Sequence, residues 1–172
     1  MAAKRQTGGK SQLLEHAVDT LHMVGFQIYR SYGEFQKAEV VGDRYVVRNH
    51  PHPSLYCTGG KKEALVVAPP DGGFIAVDEQ VRIIVEAKYQ DTSGSVDEKL
   101  PYIWEAFLVS DVPNWVVILD GKYWRTARGK AAVAWLKGRA EGYGSDDRED
   151  GVFVVTDRVG FISLARKTWG AA

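Results

Sequence analysis

The chain has 172 residues, 45% of them hydrophobic and 26% charged, which suits one domain with a substantial buried core. Its 22 basic and 22 acidic side chains cancel, so overall charge announces no polyanion partner, and nucleic acid would need a local basic face. The single cysteine, Cys57, leaves no disulfide partner and excludes a multi-cysteine zinc site; it fits a reducing, cytoplasmic setting.

Residues 1–10, MAAKRQTGGK, read as a flexible basic tail and not as a signal peptide, because an amphipathic segment follows. No apolar run approaches membrane-span length, so no membrane partner is expected. Over 11–24, Leu13, Leu14, Ala17, Val18, Leu21 and Val24 recur at helical spacing, with Ser11 as N-cap and Gly25 as the stop. The stretch FQIYRSYGEFQKAEVVGDRYVVRNH holds short strand-like runs broken at Gly33 and at Gly42–Asp43. PHPSLYCTGGKK reads as a proline-stiffened loop, and His50 and His52 have no further metal ligand near them in sequence. EALVV, FIAV and VRIIVEAKY are β-branched runs separated by PPDGG and DEQ, the pattern of a meander.

Residues 96–109 are predicted helical, with Ser93 or Ser95 as cap and Glu98 completing a capping box with Ser95. Tyr102 and Trp104 fit core or dimer contacts better than base stacking. A buried strand is expected at 114–121, a helix at 129–140, an exposed acidic loop at 142–150, a strand at 151–157 and a last helix over FISLARKTW. The order predicts an α/β fold, a central mixed β-sheet flanked by helices, with residues 11–172 forming a single domain.

The chemistry concentrates at the end of VRIIVEAKYQ. Residues two apart on a strand share a face, so Glu86, Lys88 and Gln90 project together while Ala87 faces the other way. If FIAV and VRIIVEAKY pair as a hairpin through DEQ, its open end returns Asp71 of PPDGG to Glu86 and Lys88. Two carboxylates and the Ala87 carbonyl are hard oxygen ligands suited to Mg²⁺. A hairpin-end salt bridge is the plain reading of Glu-x-Lys alone; the Pro-Asp turn and the apolar strand favour a site.

PD, a strand, and then ExK resemble the signature of the PD-(D/E)xK nuclease superfamily. PDGG…VRIIVEAKYQ is similar in particular to EcoRI-type restriction endonucleases, and PNWVVILDGKYW resembles the next core strand of that group. The resemblance covers about residues 70–124. It implies a restriction-endonuclease-like core in which Asp71 and Glu86 bind Mg²⁺, with Mn²⁺ able to substitute, Lys88 is the catalytic lysine, and Gln90 lies beside them. Several members add a glutamate from the first helix. Here that residue is Glu15, although Glu15 and Asp19 share a helical face that reads better as solvated.

GKYWRTARGK, 121–130, carries Lys122, Arg125, Arg128 and Lys130 interleaved with Tyr123 and Trp124. That mixture suits a phosphate backbone beside an exposed base, or equally a solvated loop. Lys99 is a further candidate phosphate contact. The expectation is a metal-dependent DNA endonuclease acting as a homodimer; the alternative is a non-catalytic DNA-binding or accessory subunit that keeps the fold.

Overall fold

A computed structural model describes residues 8–39, 41–48, 73–94, 98–110, 112–143 and 151–170. In chain order the elements are helix α1 (Gly8–Met23), strand β1 (Gln27–Tyr29), helix α2 (Tyr32–Gln36), strands β2 (Arg44–Arg48), β3 (Gly73–Asp78) and β4 (Val81–Tyr89), helix α3 (Lys99–Val109), strand β5 (Asn114–Asp120), a 3₁₀ turn (Tyr123–Arg125), helix α4 (Ala127–Tyr143), strand β6 (Phe153–Thr156) and helix α5 (Arg158–Trp169). The strands lie in one sheet in chain order, β1-β2-β3-β4-β5-β6. β1 and β2 run parallel, β2, β3 and β4 are antiparallel neighbours, and β4, β5 and β6 run parallel, so the sheet is mixed.

The near-continuous apolar runs of β3, β4 and β5 follow from helices covering both faces of the sheet. Strand alternation divides these runs. Phe74, Ala76, Ile83, Val85, Ala87, Val116 and Ile118 pack with Leu13, Ala17, Val18 and Leu21 of α1 and Phe161, Ala165 and Trp169 of α5. Ile75, Val77, Ile84, Val117 and Leu119 pack with Leu100, Ile103, Trp104 and Phe107 of α3 and Leu136 of α4. The parallel strands β4, β5 and β6 open their carboxyl ends on one edge, where ligands of such sheets commonly bind.

Several local expectations change. α1 begins at Gly8, so residues 8–10 are helical and Ser11 lies inside the helix instead of capping it. The stop at Gly25 holds: this glycine takes φ 96°, the Gly25 N–H donates to the His22 carbonyl, and the Phe26 N–H donates to that of Leu21. Gly33 breaks no strand but sits within α2, whose N-cap Ser31 accepts from the Glu34 N–H, while Glu34 Oε2 accepts from the Arg30 N–H. That near-capping-box, Ser-x-x-Glu, was present in the sequence and outweighs the single glycine. α3 starts at Lys99, with Glu98 at its N-cap and no side-chain cap bond, so neither Ser93 nor Glu98 plays the capping part assigned to it. The segment 121–130 is not one loop, because the 3₁₀ turn and the first turn of α4 occupy most of it. His50, His52, Cys57, EALVV, Asp71 and Ser95, on which expectations rest above, lie outside the described residues.

Candidate active site

β3 and β4 form the expected hairpin, turning at Glu79–Gln80, with Asp78 opposite Val81 and Gly73 opposite Glu86. β4 lies inside the sheet, hydrogen-bonded to β3 on one side and β5 on the other, and Lys88 is aligned with Leu119 of β5. Glu86 and Lys88 project from the face covered by α3 and α4, and Ala87 from the face covered by α1 and α5. Glu86 is 4% exposed and Lys88 9%, and the Lys88 ammonium is ion-paired to Glu86 Oε1. A buried ion pair is a poor way to stabilise a fold, because desolvation offsets the attraction and apolar residues of similar volume do as well or better. Its presence at the carboxyl end of an inner strand therefore points to chemistry.

Asp71 itself lies outside the described residues, two positions before Gly73 and hence close in sequence to the partner of Glu86. Gln90 follows β4 directly, but its side-chain amide donates to the Thr92 carbonyl at 2.6 Å. Its backbone pins the strand end: the Gln90 N–H donates to the Asp120 carbonyl and its carbonyl accepts from the Tyr123 N–H. Gly121, at φ 115°, allows that crossing, since a Cβ there would lie 2.2 Å from the Gln90 carbonyl oxygen. Glu15 is on the other side of the sheet from the Glu86 and Lys88 side chains, exposed on α1 and ion-paired to Arg48 at 2.6 Å.

The basic candidates collect beyond the carboxyl end of β5. Lys122, Arg125, Arg128 and Lys130 are all exposed, as is Lys99 at the start of α3. Tyr123 and Trp124 are buried, so their rings are not exposed for stacking on a base. Asp91 ties the two strand ends together: its carboxylate accepts from the Lys122 N–H at 3.0 Å and from the Tyr89 hydroxyl at 2.8 Å. The Lys122 N–H, then the Tyr89 hydroxyl, hold the Asp91 carboxyl below its usual range. The same carboxylate, accepting its proton's hydrogen bond, raises the Tyr89 hydroxyl above the usual range. Sequence reasoning passed over Asp91 and Lys137. Lys137 lies seven positions after Lys130 on α4 and is exposed, a spacing that could have placed it beside the basic group.

Among the described residues no three His, Cys, Asp or Glu side chains meet in a metal-ligand cluster. The Glu86 carboxylate is nonetheless a hard oxygen donor of the kind a small divalent cation takes, with water or backbone oxygens completing its shell. The fit thus rests on Glu86 and on whatever the segment before Gly73 adds.

A mixed sheet sandwiched by helices, with an acid–lysine pair buried at the carboxyl end of an inner strand, defines a nuclease-like core. The family model of the PD-(D/E)XK nuclease superfamily domain matches residues 11–169, and the chain belongs to that superfamily. The finer likeness to EcoRI-type enzymes is a detail within it. Membership makes phosphodiester hydrolysis the general class of reaction and a divalent metal the typical cofactor. Searches of curated proteins and of solved structures return no match. No described helix is long and apolar enough to cross a membrane.

Proposed function

We propose that the protein is a Mg²⁺-dependent DNA endonuclease, with Mn²⁺ able to substitute. The buried Glu86–Lys88 pair carries the reading. Asp71, Glu86 and the Ala87 carbonyl would hold the metal. When bound, the ion supplies Lewis-acid stabilisation of the charge that develops on the phosphate. Glu86, buried and on the same strand face as Lys88, orients that reaction centre. Lys88 turns its ammonium from Glu86 toward the attacked phosphate, where it holds the attacking water and neutralises a phosphoryl oxygen. Water forms the new P–O bond and gives up a proton to solvent as the bond to the 3′ oxygen breaks and that oxygen takes up a proton, leaving a 5′-phosphate and a 3′-hydroxyl. Gln90 borders the site through its pinned backbone. Lys99, Lys122, Arg125, Arg128 and Lys130 contact the DNA backbone, and two copies of the chain would be needed to cut both strands. The lone cysteine suits action in the cytoplasm.

Incubation with supercoiled plasmid tests this. Nicked or linear product is expected with Mg²⁺ and none with a chelator. Asp71→Ala, Glu86→Ala and Lys88→Ala are each expected to lose at least a hundredfold in rate. Cutting that survives Lys88→Ala would overturn the assignment. Binding of DNA without any cutting would instead favour an accessory subunit.

A further inference from the structure

We infer that the cavity between β5, β6 and α4 is a second phosphate subsite for the same bound strand, an inference that rests on the nuclease reading. The cavity measures about 200 Å³ and is bordered by Leu119, Trp124, Arg125, Lys137, Thr156 and Asp157. It lies on the same face of the sheet as Glu86 and Lys88, and Leu119, on its wall, is the aligned neighbour of Lys88. Adjacent strands are about 4.8 Å apart, so a ligand over β5 and β6 sits roughly 5–10 Å from Lys88. A DNA strand carries a charge about every 3.4 Å along the helix axis, which puts that ligand within two or three nucleotides of the attacked bond.

Three groups at this cavity are suited to an anion. The Trp124 indole N–H is buried, in a residue 7% exposed, and has no hydrogen-bond acceptor among the described residues. A buried donor in that state is costly unless a ligand completes it. Arg125 and Lys137 both reach the cavity and neither is ion-paired among the described residues. Their positions are independent, one on the 3₁₀ turn and the other on the third turn of α4. The acids nearby are already engaged. Asp157 caps α5 by accepting from the Gly160 N–H at 2.7 Å. Asp120 accepts from the Gly121 N–H at 2.7 Å and faces Arg158 at 3.5 Å. Asp120 and Asp157 offset Arg125 and Lys137 in formal charge, but each carboxylate is turned to a backbone N–H, while the two cations have no ion-pair partner among the described residues. A phosphate diester, with two free oxygens, can accept from the indole N–H and the lysine at once while the guanidinium takes the second oxygen.

The test uses a short labelled duplex in which one phosphate at a time, on either side of the cut bond, is replaced by a neutral methylphosphonate. Binding is measured in a Lys88→Ala background, so the DNA stays whole. One position within three nucleotides of the cut is expected to weaken binding about tenfold, as loss of a charge-assisted contact does. Lys137→Ala and Trp124→Phe are expected to weaken binding to the all-phosphate duplex and to be insensitive at that position. Lys137→Ala also lowers the slope of log affinity against log salt by about 0.9. In the cleaving protein the same variants raise KM and leave kcat unchanged. If wild type cuts DNA but Lys137→Ala keeps its salt slope and its sensitivity at every position, the subsite is overturned. If wild type does not cut, yet one methylphosphonate position weakens its binding and not that of Lys137→Ala, the nuclease reading fails while the cavity still holds a backbone phosphate.

Discussion

Glu86 and Lys88 stand within a few ångströms of Val117 and Leu119, in surroundings that favour neither charge alone. Truncating one of them leaves the other charge buried and is expected to destabilise by about 3–5 kcal/mol. Replacing both, with Glu86→Leu and Lys88→Met, is expected to recover most of that loss. Urea denaturation of the two single variants and the double variant measures it, and single variants as stable as wild type would contradict a buried pair. Asp91 makes a gentler prediction. Its carboxyl titrates lower in the folded protein than in the unfolded chain, so its contribution is present above the unfolded value and lost as pH falls through the folded one. The Tyr89 hydroxyl titrates higher when folded, so its contribution is complete below the unfolded value and lost as pH rises through the folded one. The link between the two strand ends is thus expected to persist from about pH 4 to about pH 10. Asp91→Asn is expected to return the Tyr89 absorbance titration toward the ordinary tyrosine value and to speed amide exchange at Lys122.

Strand β4 was legible from its composition, and its end from the alternation of Glu86, Ala87 and Lys88, because period-two patterning needs no tertiary information. α2 was not, since five residues give too little periodicity and only the Ser31–Glu34 spacing marked it. The start of α3 was missed for the opposite reason: serines that could cap a helix sit ahead of it, yet Glu98 takes the cap position without a side-chain bond. The join between the 3₁₀ turn and α4 depends on packing no local pattern reveals. Gly129 is buried there, and a Cβ on it would lie 2.2 Å from the Tyr123 carbonyl oxygen. Gly129→Ala is expected to force the turn and the helix apart and to cost about 1–3 kcal/mol, as overpacking does. Thermal unfolding reads the loss. Because the same turn holds Trp124 and Arg125, weaker DNA binding is expected alongside it.

At the scale of the molecule, the class of fold followed from the order of helices and strands, and the pairing of β3 with β4 from the short turn between them. What sequence could not supply was which side of the sheet each helix covers. That arrangement puts Glu15 on the far side from Lys88 and leaves Lys137 on the near one. A metal that binds only the folded chain raises its stability by about 2.7 kcal/mol at a hundred times Kd. For a chain of 172 residues that is roughly 5–10 °C in Tm. Mg²⁺ is expected to give such a rise in wild type and none in Glu86→Ala; a rise retained in Glu86→Ala would place the ion elsewhere. Sedimentation of the protein alone and on a duplex is expected to give a dimer at least in the bound state.

The contact between the Lys88 ammonium and Glu86 Oε1 also has a kinetic meaning. On the proposed reading, an arriving metal would meet the lysine as a rival cation for the carboxylate, so each binding event would be an exchange and not a simple addition. Occupancy and turnover would thereby be set against each other in one side chain. Lys88→Met is expected to bind Mg²⁺ more tightly by calorimetry while cutting nothing, the tightest variant being the idle one.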